Sequence, residues 1–170
     1  MTVVSKVGVS LDAAQLLSAA TRKLLKTEVL VGIPDSGAER TPEPGEKKAP
    51  SNALIGYVQE FGDEELHIPP RPFLIPGVQD AKDKIAAQLQ KAGIAAMSGN
   101  DSGIAAGFKA AGLVAQNSVR AKITEGPFVP LAKRTLQARK ARGRTGDRPL
   151  IDSGQLRASL TYVVTNKGER

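Results

Sequence analysis

The single histidine, His67, is the residue of this chain best suited to acid–base chemistry. A histidine that acts as a general base needs a nucleophile and an orienting carboxylate within reach. The sequence has serines and carboxylates, but no serine lies in a G-x-S-x-G pattern that would form a nucleophile elbow. We therefore interpret His67 as a surface or packing residue. The sequence predicts no catalytic residue, and we expect that the protein is not an enzyme.

Four carboxylates lie close together around residue 63 without a basic neighbour in the sequence, and we call them the acidic cluster: Glu60, Asp63, Glu64 and Glu65. Such a cluster could hold a hard cation, but it lacks the spaced Asp, Asn and Gly pattern of a calcium loop. A solvated turn, or a charged patch that meets a partner, is the interpretation we favour. The absence of Cys also excludes a thiolate metal site, so we expect no metal and no cofactor.

Residues 125–149 carry most of the net charge of +7, and we call them the basic segment. Its candidate functional cations are Lys133, Arg134, Arg139, Lys140, Arg142, Arg144 and Arg148, and Asp147 is the one acidic residue between the first and the last of them. Such a cluster could bind phosphates with strong salt dependence. However, the segment has no interleaved aromatic residues for base stacking and no recognisable reading helix. Contact with nucleic acid, a solvated loop, and pairing with an acidic surface of a partner all remain open.

Length and composition define the scaffold that must position these charges. The 170 residues are predicted to form one structural domain, residues 1–170, because this length is typical of a single domain. Hydrophobic residues make up 41% of the chain and aromatic residues only 4%, so the core is predicted to be aliphatic. No apolar run approaches the roughly 20 residues of a membrane span. We expect a soluble intracellular or assembly protein with no membrane partner.

The hydrophobic periodicity indicates an α+β fold with a small antiparallel or mixed sheet, three to four helices and long mobile loops. The predicted elements are a strand at 3–9, a helix after Ser10, a strand at 28–33, a helix at 53–61, a helix from about residue 77, a helix ending near residue 122, and a strand at 160–165. Residues 34–52 hold four prolines and no large apolar side chain, so we predict a flexible loop there. The basic segment is predicted to be an extended loop.

Two short sequence patterns add detail to the predicted helices. Asp152 and Gln155 have the spacing of a capping box, so Asp152 is predicted to cap the last helix. Gly103 and Gly107 form a G-x-x-x-G pattern. Because the same helix carries charged residues, close packing in a soluble core explains these glycines better than a helix dimer in lipid.

Three further stretches carry a resemblance to a family: ALIGYVQEFG at 53–62, IPPRPFL at 68–74 and PLIDSGQLRASL at 149–160. In this order and spacing they resemble the tail-completion, neck and virion-morphogenesis proteins of long-tailed bacteriophages. Those proteins often carry E-F-G, I-P-x-R-P-F-L and L-I-D-T-G-x-L-R-x-S-I stretches. Here Ser153 stands for the more usual Thr, and Leu160 for the Ile. The motif residues of this chain are Phe61, Gly62, Arg71, Pro72, Phe73, Asp152, Gly154, Leu156 and Arg157.

The resemblance implies a structural virion protein without catalytic residues. It implies a homo-oligomeric ring, commonly hexameric, that joins head and tail and lets DNA pass through a central channel. The implied partners are further copies of the chain, the adjacent connector, neck and tail proteins, and packaged DNA in non-specific contact. The implied location is the head–tail junction or tail end of the virion, after assembly in the host cytoplasm. The alternative is a small basic protein that binds nucleic acid without sequence preference.

Within that family picture, the motifs suggest specific roles. Phe61 and Phe73 are expected to anchor the short helix at 53–61 and the proline-rich strap, predicted to be extended over residues 67–73, to the sheet. Arg71, fixed between two prolines, is expected to pair with a carboxylate. The acidic cluster and the basic segment are natural complements across a subunit contact, which they would steer. Alternatively, the basic segment lines the channel and contacts DNA.

Overall fold

The computed structural model describes residues 11–35 and 50–168. The elements in this part of the chain are α1 (Leu11–Lys26), β1 (Thr27–Gly32), α2 (Asn52–Phe61), α3 (Leu74–Asp80), α4 (Lys82–Met97), α5 (Asp101–Glu125), α6 (Lys133–Ala141), α7 (Gln155–Ser159) and β2 (Thr161–Asn166). The predicted α+β class is confirmed. The seven described helices exceed the three to four expected, because one predicted helix is divided and two short helices follow α5.

The sheet of the described residues contains β1 and β2 in antiparallel pairing. Leu30 lies opposite Val163, and both side chains are exposed, whereas Val29 and Val164 pack against the helices. This alternation is the period of two that predicted β2, whereas β1 was predicted as a buried strand and is only partly buried. The strand predicted at residues 3–9 lies outside the described residues, and so does the predicted loop 34–52 apart from its two ends.

The long helix α5 is the central element and contacts two buried clusters. One cluster contains Phe73, Val119, Ile123, Leu150, Leu156 and Leu160, and the other contains Ala92, Ala96, Ile104 and Phe108. The inward face predicted for α5 is confirmed, since Ile104, Phe108, Ala111, Ala115 and Val119 are all buried. Their spacing of three or four residues makes one continuous stripe along a helix.

Helices α4 and α5 pack at short distance where Gly103 and Gly107 lie. A Cβ atom on Gly107 would lie 2.7 Å from the Cβ of Ala92, and one on Gly103 would lie 2.7 Å from the Cβ of Ala95. These distances leave no room for a side chain. The interpretation of the G-x-x-x-G pattern as close packing in a soluble core is therefore confirmed.

The helix predicted to start near Gly77 begins three residues earlier and is interrupted. Helix α3 starts at Leu74, and Ala81, with φ −101° and ψ 5°, separates it from α4. The early start was unexpected because Leu74 follows a run of prolines, which normally excludes a helix. A distant carboxylate, described below, provides the missing helix cap.

The prediction of an extended loop over the whole basic segment is wrong for its middle part. Residues Lys133–Ala141 form α6, whose sequence KRTLQARKA consists mostly of strong helix formers. The cations suggested a solvated loop, but Lys and Arg have high helix propensity. Gly143, with φ 76°, follows the helix at a point where the left-handed conformation favours glycine.

Candidate functional site

Glu60 is a structural residue of the interior rather than a member of an exposed acidic patch. Its side chain is only 5% exposed. Oε2 accepts hydrogen bonds from the backbone N–H groups of Phe73 at 2.7 Å and Leu74 at 2.8 Å, and Oε1 accepts one from Ile75 at 3.0 Å. The next residue, Pro76, has no N–H. Glu60 therefore satisfies the donors that begin α3, which corrects its assignment to the acidic cluster.

The other three members of the acidic cluster lie on a tight turn at residues 63–67, which we call the acidic turn. Asp63 and Ile68 exchange backbone hydrogen bonds of 2.9 and 2.8 Å, and Oδ1 of Asp63 accepts from Leu66 N–H at 2.8 Å. Glu64, Glu65 and His67 are exposed. His67 has a φ of 53°, so it ends the turn and is not part of an extended strap.

Gly62 connects α2 to the acidic turn in a conformation that requires glycine. Its φ is 81°, in the left-handed region. A Cβ atom there would lie 3.0 Å from the carbonyl oxygen of Ile68 and from the ring of Pro70. The E-F-G stretch is thus a helix end that turns the chain sharply.

Among the described residues, the partners of Arg71 are two backbone carbonyls and an amide oxygen rather than a carboxylate, which corrects that expectation. The buried guanidinium donates from Nε to the Val129 carbonyl at 2.8 Å and from Nη2 to the Pro130 carbonyl at 3.2 Å. Nη1 donates to Oε1 of Gln59 at 3.2 Å. Burial, together with the positive charge of Arg139, lowers the pKa of Arg71 below its ordinary value. Arg71 therefore ties the strap, whose Pro72 is exposed, to the chain preceding α6.

Arg139 likewise has a structural role, although the sequence suggested a cation available to DNA or a partner. It is 5% exposed. Its carbonyl partners, at 2.8–3.2 Å from Nη1 or Nη2, are those of Gly146, Arg148, Pro149 and Ile151. Nε lies 3.4 Å from Oδ1 of Asp152. A guanidinium can organise so many carbonyls because its donors form a rigid planar fork. Arg139 thus orders the loop that follows α6.

The prediction that Asp152 caps the last helix is wrong. Helix α7 begins after Gly154, with φ 81°, and no side chain accepts a hydrogen bond at its N-cap. Asp152 instead contacts Arg139 and Arg144, the latter at 2.7 Å, and lies 3.9 Å from Arg142. The attraction of three guanidinium groups to the Asp152 carboxylate is stronger than the stabilisation that this carboxylate would gain at the start of a helix. Asp152 therefore closes the loop that Arg139 organises.

The apolar residues of the last two motif stretches meet in the core. Phe73 is buried in one cluster with Leu156 and Leu160, which confirms the expectation that Phe73 is an anchor. Arg157, in contrast, is exposed. The polar motif residues Glu60 and Arg71 hold the backbone around this cluster. The motifs are thus parts of one structural unit.

The expectation that Phe61 anchors α2 is wrong, because the apolar stripe of α2 faces outward. Tyr57 is 64% exposed and Phe61 58% exposed, with ring centroids 5.0 Å apart. The buried residues of α2 are Gly56 and Glu60. A helix normally buries its apolar stripe and exposes its charges. In α2 the fully buried residues are instead a glycine and a glutamate, while Ile55 is only partly buried against the core. The spacing of Gly56 and Glu60, four residues apart, was the sequence signal for this inward face.

Tyr57 and Phe61 border an apolar groove of about 180 Å³ between α2 and the start of α3, which we call the aromatic groove. Ile75, also exposed, lines the groove with them. Its inner lining includes the buried residues Phe73, Leu160 and Glu60. The acidic turn follows Phe61 directly in the chain, so carboxylates lie near this apolar surface.

The seven candidate cations of the basic segment fall into two groups. Arg139, Arg142, Arg144 and Arg148 make intramolecular contacts with Asp152 or with backbone carbonyls. Lys133, Arg134 and Lys140 project as exposed residues from α6. Leu136 is exposed on the same helix, three residues after Lys133 and four before Lys140. We call Lys133, Leu136 and Lys140 the basic face of α6.

Within residues 11–35 and 50–168, no group of three or more His, Cys, Asp or Glu side chains could hold a metal ion. No helix in this part of the chain is long and apolar enough to cross a membrane. Comparison with protein-family models, with curated proteins and with solved structures finds no match of any of the three kinds.

Proposed function

We propose that this protein is a structural component of a tailed-phage virion: a ring-forming neck or tail-completion protein that joins head and tail, with DNA passing through the ring. Its partners are further copies of the chain, in a ring that is hexameric in the family it resembles, and the adjacent connector, neck and tail proteins. Its location is the head–tail junction or tail end, reached after assembly in the host cytoplasm. It has no catalytic role in this proposal.

The outward apolar stripe of α2 is the observation that carries this proposal. Leu54, Tyr57 and Phe61 expose large apolar surfaces along one helix, while the buried face carries a carboxylate. Contiguous exposed apolar surface of this kind marks a site of association. Tyr and Phe are also enriched in the cores of protein interfaces.

The contacts of the buried charged side chains agree with a structural role. Glu60, Arg71 and Arg139 are charged side chains that catalytic chemistry could use, but their polar atoms bind backbone groups of the same chain. These bonds hold three separate stretches together. The groups that remain exposed, namely the aromatic groove, the acidic turn and the basic face of α6, are suited to contact other macromolecules.

The test is the mass of the purified protein by light scattering, at several concentrations and at low and high salt. The proposal predicts a discrete oligomer of fixed stoichiometry. Because the acidic turn and the basic face of α6 are exposed, we expect the oligomer to form more slowly at high salt. A single-chain mass at every concentration, both alone and when mixed with phage tail or capsid intermediates, would contradict the proposal.

A second candidate is binding of nucleic acid without sequence preference, and the exposed cations of α6 favour it. Lys133, Arg134 and Lys140 project from one helix and could each neutralise a phosphate. In that case the single chain binds duplex DNA, with an affinity that falls steeply as salt increases. The variant with all three replaced by Glu would lower the slope of log affinity against log salt by about 3. An unchanged slope would exclude these residues as DNA contacts.

A further inference from the structure

We propose that the aromatic groove of one copy binds the basic face of α6 of a second copy. This inference rests on the proposed function and identifies the two surfaces of each subunit that meet in the ring. A closed ring requires two different, complementary surfaces on every copy. The described residues present such a pair. One surface is the aromatic groove, which lies beside carboxylates, and the other is the basic face of α6, where Leu136 lies between two lysines.

Both surfaces contain exposed apolar residues that could pack against each other. The groove is lined by Tyr57, Phe61 and Ile75 and continues inward to Phe73. Leu136, which is 36% exposed, is an apolar residue on the surface of α6, and a leucine side chain is of a size that a groove of about 180 Å³ can accept. Burial of aliphatic and aromatic surface is the main source of affinity in such a contact.

The charges around the two surfaces are opposite. Glu64 and Glu65 are exposed on the acidic turn, which follows Phe61 directly. Lys133 and Lys140 stand on either side of Leu136, one turn before it and one turn after it. With Leu136 in the groove, these lysines lie near the carboxylates and the aromatic rings, where ion pairs and cation–π contacts favour them. The charges also oppose groove-to-groove and α6-to-α6 pairing.

The two surfaces of a single copy lie on different sides of α2, so the contact requires a second copy. Ile55 and Gln59 line a pocket together with Arg142, the residue that follows α6. Tyr57 and Phe61 line the aromatic groove instead. The end of α6 therefore lies beside the face of α2 that is turned away from the groove. Such an arrangement gives a head-to-tail contact that repeats from copy to copy.

The test uses two variants, each of which removes one of the two surfaces. Phe61→Lys places a cation in the groove, and Leu136→Glu places a carboxylate on the basic face of α6. Both side chains are exposed, so we expect both variants to fold, with circular dichroism as the check. Each variant alone should fall to the mass of one chain by light scattering. Mixed in equal amounts, they should give a mass of two chains, because each pair retains one intact contact.

A second pair of variants reverses the charges of one surface each and leaves the apolar residues of both surfaces unchanged. Lys133→Glu with Lys140→Glu should lose the oligomer, and Glu64→Lys with Glu65→Lys should lose it as well. Their equimolar mixture should restore an oligomer in which the two variants alternate, because each surface of one variant then meets a surface of opposite charge on the other. Leu113→Glu is the matched control for Leu136→Glu, because it also replaces an exposed leucine of a helix by glutamate. It should keep the oligomeric mass of the wild type.

The outcomes separate this inference from the proposed function. Wild-type rings that persist in both Phe61→Lys and Leu136→Glu would overturn the contact and leave the ring function intact. Open chains or dimers that both variants abolish, with no closed ring in the wild type, would support the contact and contradict the ring function. A wild type that is a single chain under all conditions would overturn both.

Discussion

Three charged residues fix the backbone around the candidate site, and each binds main-chain groups outside its own helix or strap. Glu60 binds the start of α3, Arg71 binds the chain before α6, and Arg139 binds the loop after α6. A buried charge is tolerated when several hydrogen bonds compensate its loss of hydration. These three residues therefore determine where the strap and α6 lie.

Glu60→Gln should destabilise the fold by about 3 kcal/mol, because the charge-assisted hydrogen bonds to three N–H groups are lost. The glutamine amide also brings a donor that faces these donors. Glu64→Gln, at an exposed position of the acidic turn, is the matched control and should change stability by less than about 0.5 kcal/mol. Chemical denaturation measures both values. Equal effects of the two substitutions would contradict the capping role of Glu60.

Arg139→Lys should also destabilise the fold, by about 3 kcal/mol, because an ammonium cannot reach four carbonyls and Asp152 at once. Arg134→Lys makes the same substitution on an exposed part of α6 and should change stability by less than about 0.5 kcal/mol. Thermal and urea unfolding would compare the two variants. If Arg139→Lys were as stable as Arg134→Lys, Arg139 would not organise the loop.

At the residue scale, the sequence predicted the apolar anchors but not the polar ones. Phe73, Leu156 and Leu160 could be identified because apolar residues at regular spacing are buried. The role of Glu60 could not, because its partners are backbone groups 13 to 15 residues away. The outward position of Phe61 was missed because the polar inward face of α2 reverses the usual pattern.

At the scale of elements, regular periodicity decided what could be predicted. The continuous stripe of α5 and the alternation in β2 identified both elements, with α5 ending near the predicted residue. The charged sequence of α6 has no such stripe, and only helix propensity would have indicated it. The start of α3 depends on Glu60 and so could not be found from local sequence.

Two glycines in the helix pair α4 and α5 give opposite predictions for the effect of alanine on stability. Gly107→Ala should destabilise the fold by about 1 to 3 kcal/mol, because the added Cβ would lie 2.7 Å from that of Ala92. Gly93→Ala should stabilise it by about 0.5 to 1 kcal/mol, because nothing lies within 4 Å of a Cβ there and alanine favours helix. Urea unfolding measures both. A stabilising Gly107→Ala would contradict close packing of these helices.

At the scale of the whole molecule, the unusual feature is the distribution of exposed surfaces. The apolar stripe of α2, the acidic turn and the basic face of α6 are separate surfaces of one chain, two of them complementary in charge. Composition alone gave the excess of cations, but not which of them were exposed. A protein that assembles head to tail needs this asymmetry, because each copy must offer both partners of the same contact.

The most direct test of the central claim is electron microscopy of the purified wild-type oligomer in low salt. The account predicts closed rings with one rotational symmetry and a central channel wide enough for duplex DNA. Phe61→Lys, imaged beside it, should give no rings. Compact particles without a channel, open filaments, or single chains that stay dispersed after mixing with phage tail or capsid intermediates would contradict the claim that this protein forms the ring of a phage neck or tail end.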